Sequence, residues 1–156
     1  MVDEYNNIFY FIPQKIKINL TQPGNEKIIK IFTSSISNYS FLLTKLNHKI
    51  KIYGFGDNKH NNLGIFEKDN EKIFIPTKIN FLKKSKIKNI FCGCMHTFVL
   101  EKNNTLFGFG RDFYGQSGKK INTFFQNKNE KIKKISLNKE STIFLTSFFI
   151  FYFLFF

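Results

Sequence analysis

Short runs of alternating apolar and polar residues recur along most of the chain. The alternation is clearest in Lys15-Ile16-Lys17-Ile18-Asn19-Leu20 and in Lys49-Ile50-Lys51-Ile52-Tyr53. Successive side chains of a β-strand point to opposite faces, so this period of two predicts strands with one buried face. No segment combines helical periodicity with capping residues. The pattern therefore predicts an all-β fold.

Turn-forming residues separate these apolar runs. Asn47-His48 and Asn103-Asn104 lie between runs and suit hairpin turns with positive φ. The other turn signals are four glycines near the predicted strand ends: Gly54, Gly56, Gly108 and Gly110. Glycine at a strand end permits close backbone approach or a bulge.

The runs belong to an internal repeat. Phe11-Ile12-Pro13-Gln14-Lys15-Ile16 recurs as Phe74-Ile75-Pro76-Thr77-Lys78-Ile79, and Ile52-Tyr53-Gly54-Phe55-Gly56 recurs as Leu106-Phe107-Gly108-Phe109-Gly110. Gly54 and Gly108 are 54 residues apart. An all-β repeat of this length, with roughly four strands per unit, predicts the blades of a β-propeller.

We divide the chain on this basis. Residues 1–10 are an N-terminal lead-in, 11–64 the first repeat, 65–118 the second, 119–146 a partial third, and 147–156 a Phe-rich apolar tail. The expected architecture is two to three antiparallel four-stranded blades forming an open or partial propeller. Open blade edges expose unpaired strands and favour self-association.

The stretch Phe91–Leu100 resembles a metal site at first sight. Cys92, Cys94 and His96 alternate, and in an extended strand they project from one face. Two thiols and one imidazole supply only three ligands, however, and no further Cys or His pair is spaced to complete a tetrahedron. We therefore expect no metal and no cofactor. Both cysteines are interpreted as small apolar side chains on a strand where His96 and Thr97 make local polar contacts.

Composition leaves the meaning of the charge open. The formal net charge is +13 and the pI is about 9.7, which favours nucleic acid or an acidic surface as a partner. However, the basic residues include a single arginine, Arg111, and the lysines are spread along the chain. Abundant Lys, Asn, Ile and Phe is also what an AT-rich coding sequence produces.

Cysteine usage and the N-terminus favour an intracellular protein. The two cysteines cannot build a disulfide framework. The N-terminal residues 1–7 are acidic and polar, unlike a signal peptide. We expect the nucleus or the cytoplasm.

Familiar catalytic motifs are missing. Gly54 and Gly56, like Gly108 and Gly110, lack the third glycine of a dinucleotide-binding fingerprint. Gly115-Gln116-Ser117-Gly118-Lys119-Lys120 has the wrong spacing for a phosphate loop. No Ser-His-Asp grouping follows from the spacings. We therefore predict a protein without catalytic residues that is not an enzyme.

The Phe-rich tail has three interpretations. With the residues before it, the apolar run is about fifteen residues long, shorter than the roughly twenty that a membrane-spanning helix needs. It is interpreted as a membrane-inserting end, as a core strand, or as translated T-rich non-coding sequence. The last is favoured, because the run starts where the third repeat loses its pattern, and membrane contact is not expected.

The combined motifs resemble those of the regulator of chromosome condensation repeat family. Cys92-Gly93-Cys94-Met95-His96-Thr97-Phe98-Val99-Leu100 is similar to the family's Cys-Gly-x-x-His-Thr-x-x-Leu element. Gly54-Phe55-Gly56-Asp57-Asn58 and Gly108-Phe109-Gly110-Arg111-Asp112 fit its aromatic-Gly turn, with Phe replacing the usual Trp. Tyr114-Gly115-Gln116-Ser117-Gly118 and, more loosely, His60-Asn61-Asn62-Leu63-Gly64 fit its Gly-Gln-Leu-Gly element. The resemblance covers about residues 11–146.

Two repeats depart from the family pattern. The first has Ser37-Asn38-Tyr39-Ser40, and the third has Lys139-Glu140-Ser141-Thr142, where Gly and His are expected. The resemblance implies that the His and Gly positions hold blades together and do no chemistry. It also implies a ring of seven blades, of which this chain supplies between two and three.

The resemblance implies two functions. One is a scaffold that binds a protein partner through propeller loops. The other is guanine-nucleotide exchange on a Ran-type small GTPase, with chromatin association. Asp57 and Asp112, in the turns after each Gly-x-Gly, are candidates for exchange by position alone, and the resemblance assigns neither of them that role. Solvated turn carboxylates are the simpler interpretation of Asp57, Asp112 and Glu101. The binding residues are not predicted.

Overall fold

The computed structural model describes residues 26–66, 71–80, 87–111, 122–125, 131–139, 141–147 and 150–153. Within these ranges every regular element is a β-strand, and the strands form three antiparallel sheets. The predicted all-β fold is confirmed. The predicted strand at Lys15–Leu20 lies outside the described residues.

The first sheet is a four-stranded meander. Its strands are β1 (Lys27–Phe32), β2 (Tyr39–Leu46), β3 (Lys49–Asp57) and β4 (Lys72–Lys78), and each pairs with the next along the chain. The alternation read at Lys49–Tyr53 lies in β3, as predicted.

The other two sheets repeat this order. The second contains β5 (Ile87–Cys92), β6 (His96–Glu101), β7 (Leu106–Gly110) and β8 (Asn122–Phe125), again in sequential order. The third contains β9 (Lys134–Leu137), β10 (Thr142–Leu145) and β11 (Ile150–Phe153). These sheets have the meander form of propeller blades.

Sheets and sequence repeats are offset by one strand. β4 lies beyond residue 64, in the second sequence repeat, yet it pairs with β3 of the first sheet. The sequence repeat therefore links neighbouring sheets, because its first strand completes the preceding sheet.

The tight turns form where their chemistry predicts them. Asn47 and His48 both have positive φ, 45° and 64°, and join β2 to β3. This conformation belongs to the two-residue hairpin turn that matches strand twist. In the hairpin between β6 and β7, Asn104 has φ of 70°. Both predicted hairpins are confirmed.

Gly56 and Gly110 occupy equivalent places at the ends of β3 and β7. Their φ angles are 107° and 116°, which side chains rarely tolerate. A Cβ on Gly56 would lie 2.5 Å from the Asn38 carbonyl oxygen, and one on Gly110 the same distance from that of Met95. The predicted close backbone approach is present at both glycines.

Two apolar cores lie between successive sheets. Phe41 of the first sheet meets Phe109 of the second edge to face, with ring centroids 6.4 Å apart. Phe98 of the second sheet meets Phe144 of the third in the same way, also at 6.4 Å. All four rings are buried. Full burial of one such ring is worth roughly 1.5–3 kcal/mol, so the facing aromatic residues stabilise the stack of sheets.

The Phe-rich tail contributes a strand to the third sheet. Ile150–Phe153 pairs antiparallel with β10, with Thr142 opposite Phe153 and Leu145 opposite Ile150. In the second sheet, Phe109 of β7 lies opposite Thr97, the residue that the repeat aligns with Thr142. Residues 150–153 thus occupy the third-strand position of the third sheet.

Candidate functional site

The motif residues meet at the boundaries between sheets. Tyr39 begins β2, and its hydroxyl donates a hydrogen bond to the backbone carbonyl of His96 in the second sheet at 2.6 Å. The Thr97 hydroxyl oxygen lies 2.9 Å from the Tyr39 hydroxyl and 2.6 Å from the carbonyl oxygen of Asn62. Tyr39 and Thr97 are fully buried. We call this group of residues the first junction.

A second junction repeats the arrangement between the next two sheets. His96 Nε2 lies 2.9 Å from the hydroxyl oxygen of Thr142, and both residues are fully buried. His96 begins β6 as Tyr39 begins β2, and each lies opposite the glycine with positive φ. Tyr39 therefore takes the histidine position of the first sheet. It spans the boundary with a phenol in place of an imidazole.

A further hydrogen bond joins the second sheet to the segment that precedes β9. Asn104, in the β6–β7 hairpin, accepts a hydrogen bond from the Ile132 backbone N–H at 3.1 Å. Buried polar groups are costly unless they are paired, so these contacts favour one relative position of the sheets.

The structure corrects the prediction about His96 and Thr97. The side-chain hydrogen bonds from His96 to Thr142 and from Thr97 to Tyr39 join residues of different sheets, so they are not local. The prediction that Cys92, Cys94 and His96 share one strand is also wrong. Cys92 ends β5 and His96 begins β6, while Cys94 lies in the turn between them. In that turn the Gly93 N–H donates to the His96 carbonyl at 2.8 Å.

The two thiols have different surroundings. Cys92 lies in the core between the first and second sheets, whereas Cys94 is partly exposed. Burial raises the pKa of the Cys92 thiol to about 12. Among the residues that the structure describes, no group of three or more His, Cys, Asp or Glu side chains is placed to hold a metal ion.

The loop after β3 is built by asparagine side chains. Asn58 Nδ2 donates to the Ile65 carbonyl at 2.8 Å, and its Oδ1 accepts from the Leu63 N–H at 3.0 Å. Asn58 and Asn62 are buried. Because the Asn62 carbonyl lies against Thr97, this loop is fixed to the neighbouring sheet.

Asp57 lies at the start of this loop. Its Oδ1 accepts a hydrogen bond from the Lys59 N–H at 3.0 Å, so the carboxylate closes a local turn. His60 follows, and its pKa is lowered by partial burial and by the nearby Arg111 guanidinium. The other positional candidate, Asp112, lies outside the described residues. Glu101 is a buried residue of β6, so the solvated-turn interpretation of that carboxylate is wrong.

A partly buried ion pair also lies beside the first sheet. Glu26 Oε2 accepts from Lys51 Nζ at 3.0 Å, while its other oxygen accepts from the hydroxyls of Thr44 at 2.6 Å and Tyr53 at 3.2 Å. Burial acts to raise the pKa of the Glu26 carboxyl, but the hydrogen bonds from Thr44 and Lys51 outweigh it and lower the pKa. Pairing to Glu26 raises the pKa of Lys51.

Sequence reasoning missed Tyr39, Asn62 and Thr142 as junction residues. A signal was available for Tyr39 and Thr142, because the repeat aligns them with His96 and Thr97. None was available for Asn62, which contributes a backbone carbonyl.

No helix with the length and apolar character of a membrane span occurs in the part of the chain that the structure describes.

Comparison with known proteins gives a consistent family. The sequence model described as "Regulator of chromosome condensation (RCC1) repeat" matches residues 51–100. This range begins within β3 and includes the Thr97 and His96 junction residues.

Curated relatives share parts of the chain. The human probable E3 ubiquitin-protein ligase HERC4 is 36% identical over 80 residues, which are 51% of this chain and 7% of that protein. The human X-linked retinitis pigmentosa GTPase regulator is 33% identical over 143 residues, covering 85% of this chain and 14% of that protein. The chain thus spans only a small part of either relative.

A solved structure has the same fold. The crystal structure of Prp20p from Saccharomyces cerevisiae superposes on this chain with a TM-score of 0.59 at 20% sequence identity. That structure was studied together with the binding of Prp20p to Gsp1p and histones. The superposition covers 84% of this chain and 31% of Prp20p. It shows that the three sheets are stacked as successive blades of a β-propeller.

Proposed function

Since this chain belongs to the regulator of chromosome condensation repeat family, we propose that it is a non-enzymatic β-propeller module that binds a protein partner. The observation that best supports this proposal is the structural role of the motif residues. Tyr39, His96, Thr97 and Thr142 are fully buried and bonded across sheet boundaries. Groups buried in this way position a scaffold and are not available to a substrate.

The surface that such a scaffold presents consists of loops. The loop after β3 is fixed from within by Asn58 and Asn62, while Lys59 and Asn61 are exposed. Asn61 has a φ angle of 57°, so the exposed part of this loop has a left-handed backbone conformation at that residue. A fixed loop loses little conformational entropy on binding, so this loop suits recognition of a protein surface.

Affinity capture tests this proposal. The folded chain and a Lys59→Glu variant are used as baits, and captured proteins are quantified against a heat-unfolded control. The proposal expects at least one partner that the folded chain retains and that the variant loses while its thermal unfolding is unchanged. If no protein distinguishes the folded chain from the unfolded control, the proposal is wrong.

Guanine-nucleotide exchange on a Ran-type small GTPase, with chromatin association, is the second candidate. Its support is the likeness to Prp20p, studied for binding to Gsp1p and histones, and to a GTPase regulator. Exchange requires the factor to stabilise the nucleotide-free GTPase, and needs no bond chemistry. Release of a fluorescent guanine nucleotide from a purified Ran-type GTPase separates the candidates, because a scaffold alone gives no acceleration.

A further inference from the structure

The first strand of each sheet carries exposed lysines. β1, β5 and β9 are the first strands in their sheets, and β5 lies against both of the others. We call these the inner strands. They and the residue before β9 supply the following exposed cations, named here the inner lysine row: Lys27, Lys30, Lys88, Lys133 and Lys134.

Strand register makes Lys30 and Lys134 equivalent, with Asn89 at the same position of the second sheet. Each sheet has a polar inner residue opposite a leucine of its second strand: Lys30 with Leu43, Asn89 with Leu100, and Lys134 with Leu145. Lys88 and Lys133 come directly before the second and third of these residues. Spacing along the sequence hides the row, because only the stacking of blades places its members on neighbouring strands.

A direct contact shows that neighbouring inner strands share a surface. Lys30 Nζ donates a hydrogen bond to Asn89 Oδ1 across the first sheet boundary at 3.2 Å. The same ammonium lies 4.7 Å from the centroid of the Phe32 ring. Lys30 is thus held over the boundary between β1 and β5.

The inner strands bring no acidic residue to balance the row. Their sequences, KIIKIF, IKNIFC and KISL, contain neither Asp nor Glu. Glu26, which precedes β1, is buried and bonded to Lys51 and Thr44. The like charges on adjacent strands repel each other and create a positive potential. An anionic partner is attracted by this potential and reduces the repulsion.

The residues beside the row favour a peptide over a nucleic acid. Base stacking needs exposed aromatic rings, but Phe32 is buried and Phe91 is only partly exposed on these strands. Ile29 is 49% exposed next to Lys30, which offers an apolar contact between cations.

We infer that the inner lysine row binds an acidic protein segment that carries apolar side chains among its carboxylates. The inner lysine row would be one binding surface of the proposed protein-binding module, so this inference rests on the proposed function. Basic partners are repelled by this surface, so they must bind elsewhere.

Fluorescence anisotropy of a short labelled peptide of Glu and Leu tests the inference. The variant is Lys30→Gln/Lys88→Gln/Lys134→Gln. Its matched control, Lys72→Gln/Lys78→Gln/Lys102→Gln, removes the same charge from exposed sites on β4 and in the β6–β7 hairpin. The Lys30/Lys88/Lys134 variant alone loses charge-assisted contacts with the peptide. We therefore expect its affinity for the peptide to fall at least about tenfold, and the affinity of the control to fall less than about twofold.

Three outcomes overturn the inference. Equal weakening in both variants means that net charge alone attracts the peptide. Tighter binding of a single-stranded oligonucleotide of equal charge means that the row is a nucleic-acid surface. If the peptide fails to bind while the Lys59-dependent capture persists, the inner row is wrong and the protein-binding module stands.

Discussion

His96 Nε2 in β6 lies 2.9 Å from the Thr142 hydroxyl oxygen in β10, so a buried imidazole joins the second sheet to the third. Tyr39 makes the corresponding link from the first sheet to Thr97 in the second, also at 2.9 Å. Two different aromatic side chains thus serve one structural position. The second-strand hydroxyl in each link belongs to a threonine.

Thr142→Val tests the link to His96. Valine keeps the shape of threonine but removes the hydroxyl, which leaves the buried imidazole nitrogen without this partner. We expect the free energy of unfolding to fall by about 1–3 kcal/mol, the usual cost of an unsatisfied buried group. Denaturant unfolding measures the change.

Thr33→Val is the control for this substitution, because Thr33 is exposed. Its effect should stay within about 0.5 kcal/mol, as for most surface substitutions. Equal destabilisation by both changes would show that the Thr142 hydroxyl contributes nothing at the junction.

Gly56→Ala should destabilise the first sheet more than Gly54→Ala. At Gly56 an added Cβ meets the Asn38 carbonyl oxygen at 2.5 Å and the backbone holds φ of 107°. At Gly54 the nearest atom is a flexible Leu63 methyl at 3.0 Å. Strained backbone of this kind costs on the order of 1–3 kcal/mol before the clash is added.

Thermal unfolding of the two alanine variants gives the comparison. A Gly110→Ala variant serves as a repeat of the experiment in the second sheet, since its surroundings match those of Gly56. The account is contradicted if Gly54→Ala proves the more destabilising substitution.

Glu26 makes stability depend on pH in the acid range. Its carboxyl pKa is lowered from the ordinary 4.5, because hydrogen bonds from Thr44 and Lys51 outweigh desolvation. A carboxylate with a lowered folded-state pKa contributes stability that is fully present above 4.5 and is lost as pH falls through the folded value. We therefore expect the folded chain to lose stability on acidification below that pH.

Comparison with Glu26→Gln isolates this carboxylate. The difference in unfolding free energy between the natural chain and the variant should be greatest at neutral pH and should shrink as the buffer is acidified. A difference that stays constant through the acid range would rule out titration of Glu26 as its source.

Cys92 should resist alkylation in the folded chain. Its thiol is buried, and burial raises its pKa to about 12, so the reactive thiolate is scarce at neutral pH. Cys94 is partly exposed in the turn and should react first with iodoacetamide. Mass spectrometry of peptides after timed labelling measures both rates, and unfolding in denaturant should make Cys92 reactive. Faster labelling of Cys92 than of Cys94 in the folded state would contradict its burial.

Individual turns and strands could be predicted from the sequence. The Asn47-His48 hairpin and the strand at Lys49–Tyr53 follow from turn preference and alternation, which need only a few neighbouring residues. The blade architecture followed from the recurrence of these patterns.

Contacts between sheets could not be read in the same way. His96 and Thr142 are 46 residues apart, and only the stacking of blades brings them together. Reading Cys92 and His96 as one strand also concealed the turn at Gly93, whose missing side chain admits the His96 ring. A Cβ there would lie 2.9 Å from His96 Cε1.

The inner lysine row was hidden for the same reason. The lysines are spread along the sequence, yet strand order places Lys30, Lys88 and Lys134 on neighbouring inner strands. Even spacing along a repeat protein therefore does not exclude a cluster, because equivalent positions of successive repeats become neighbours in space.

The central claim is that the motif residues hold adjacent blades together. A double-mutant cycle of Tyr39→Phe and Thr97→Val measures this most directly, because each change removes one hydroxyl of the first junction. The account predicts that the two losses of unfolding free energy are non-additive, with a coupling of about 0.5–3 kcal/mol. Simple additivity of the two losses would contradict it.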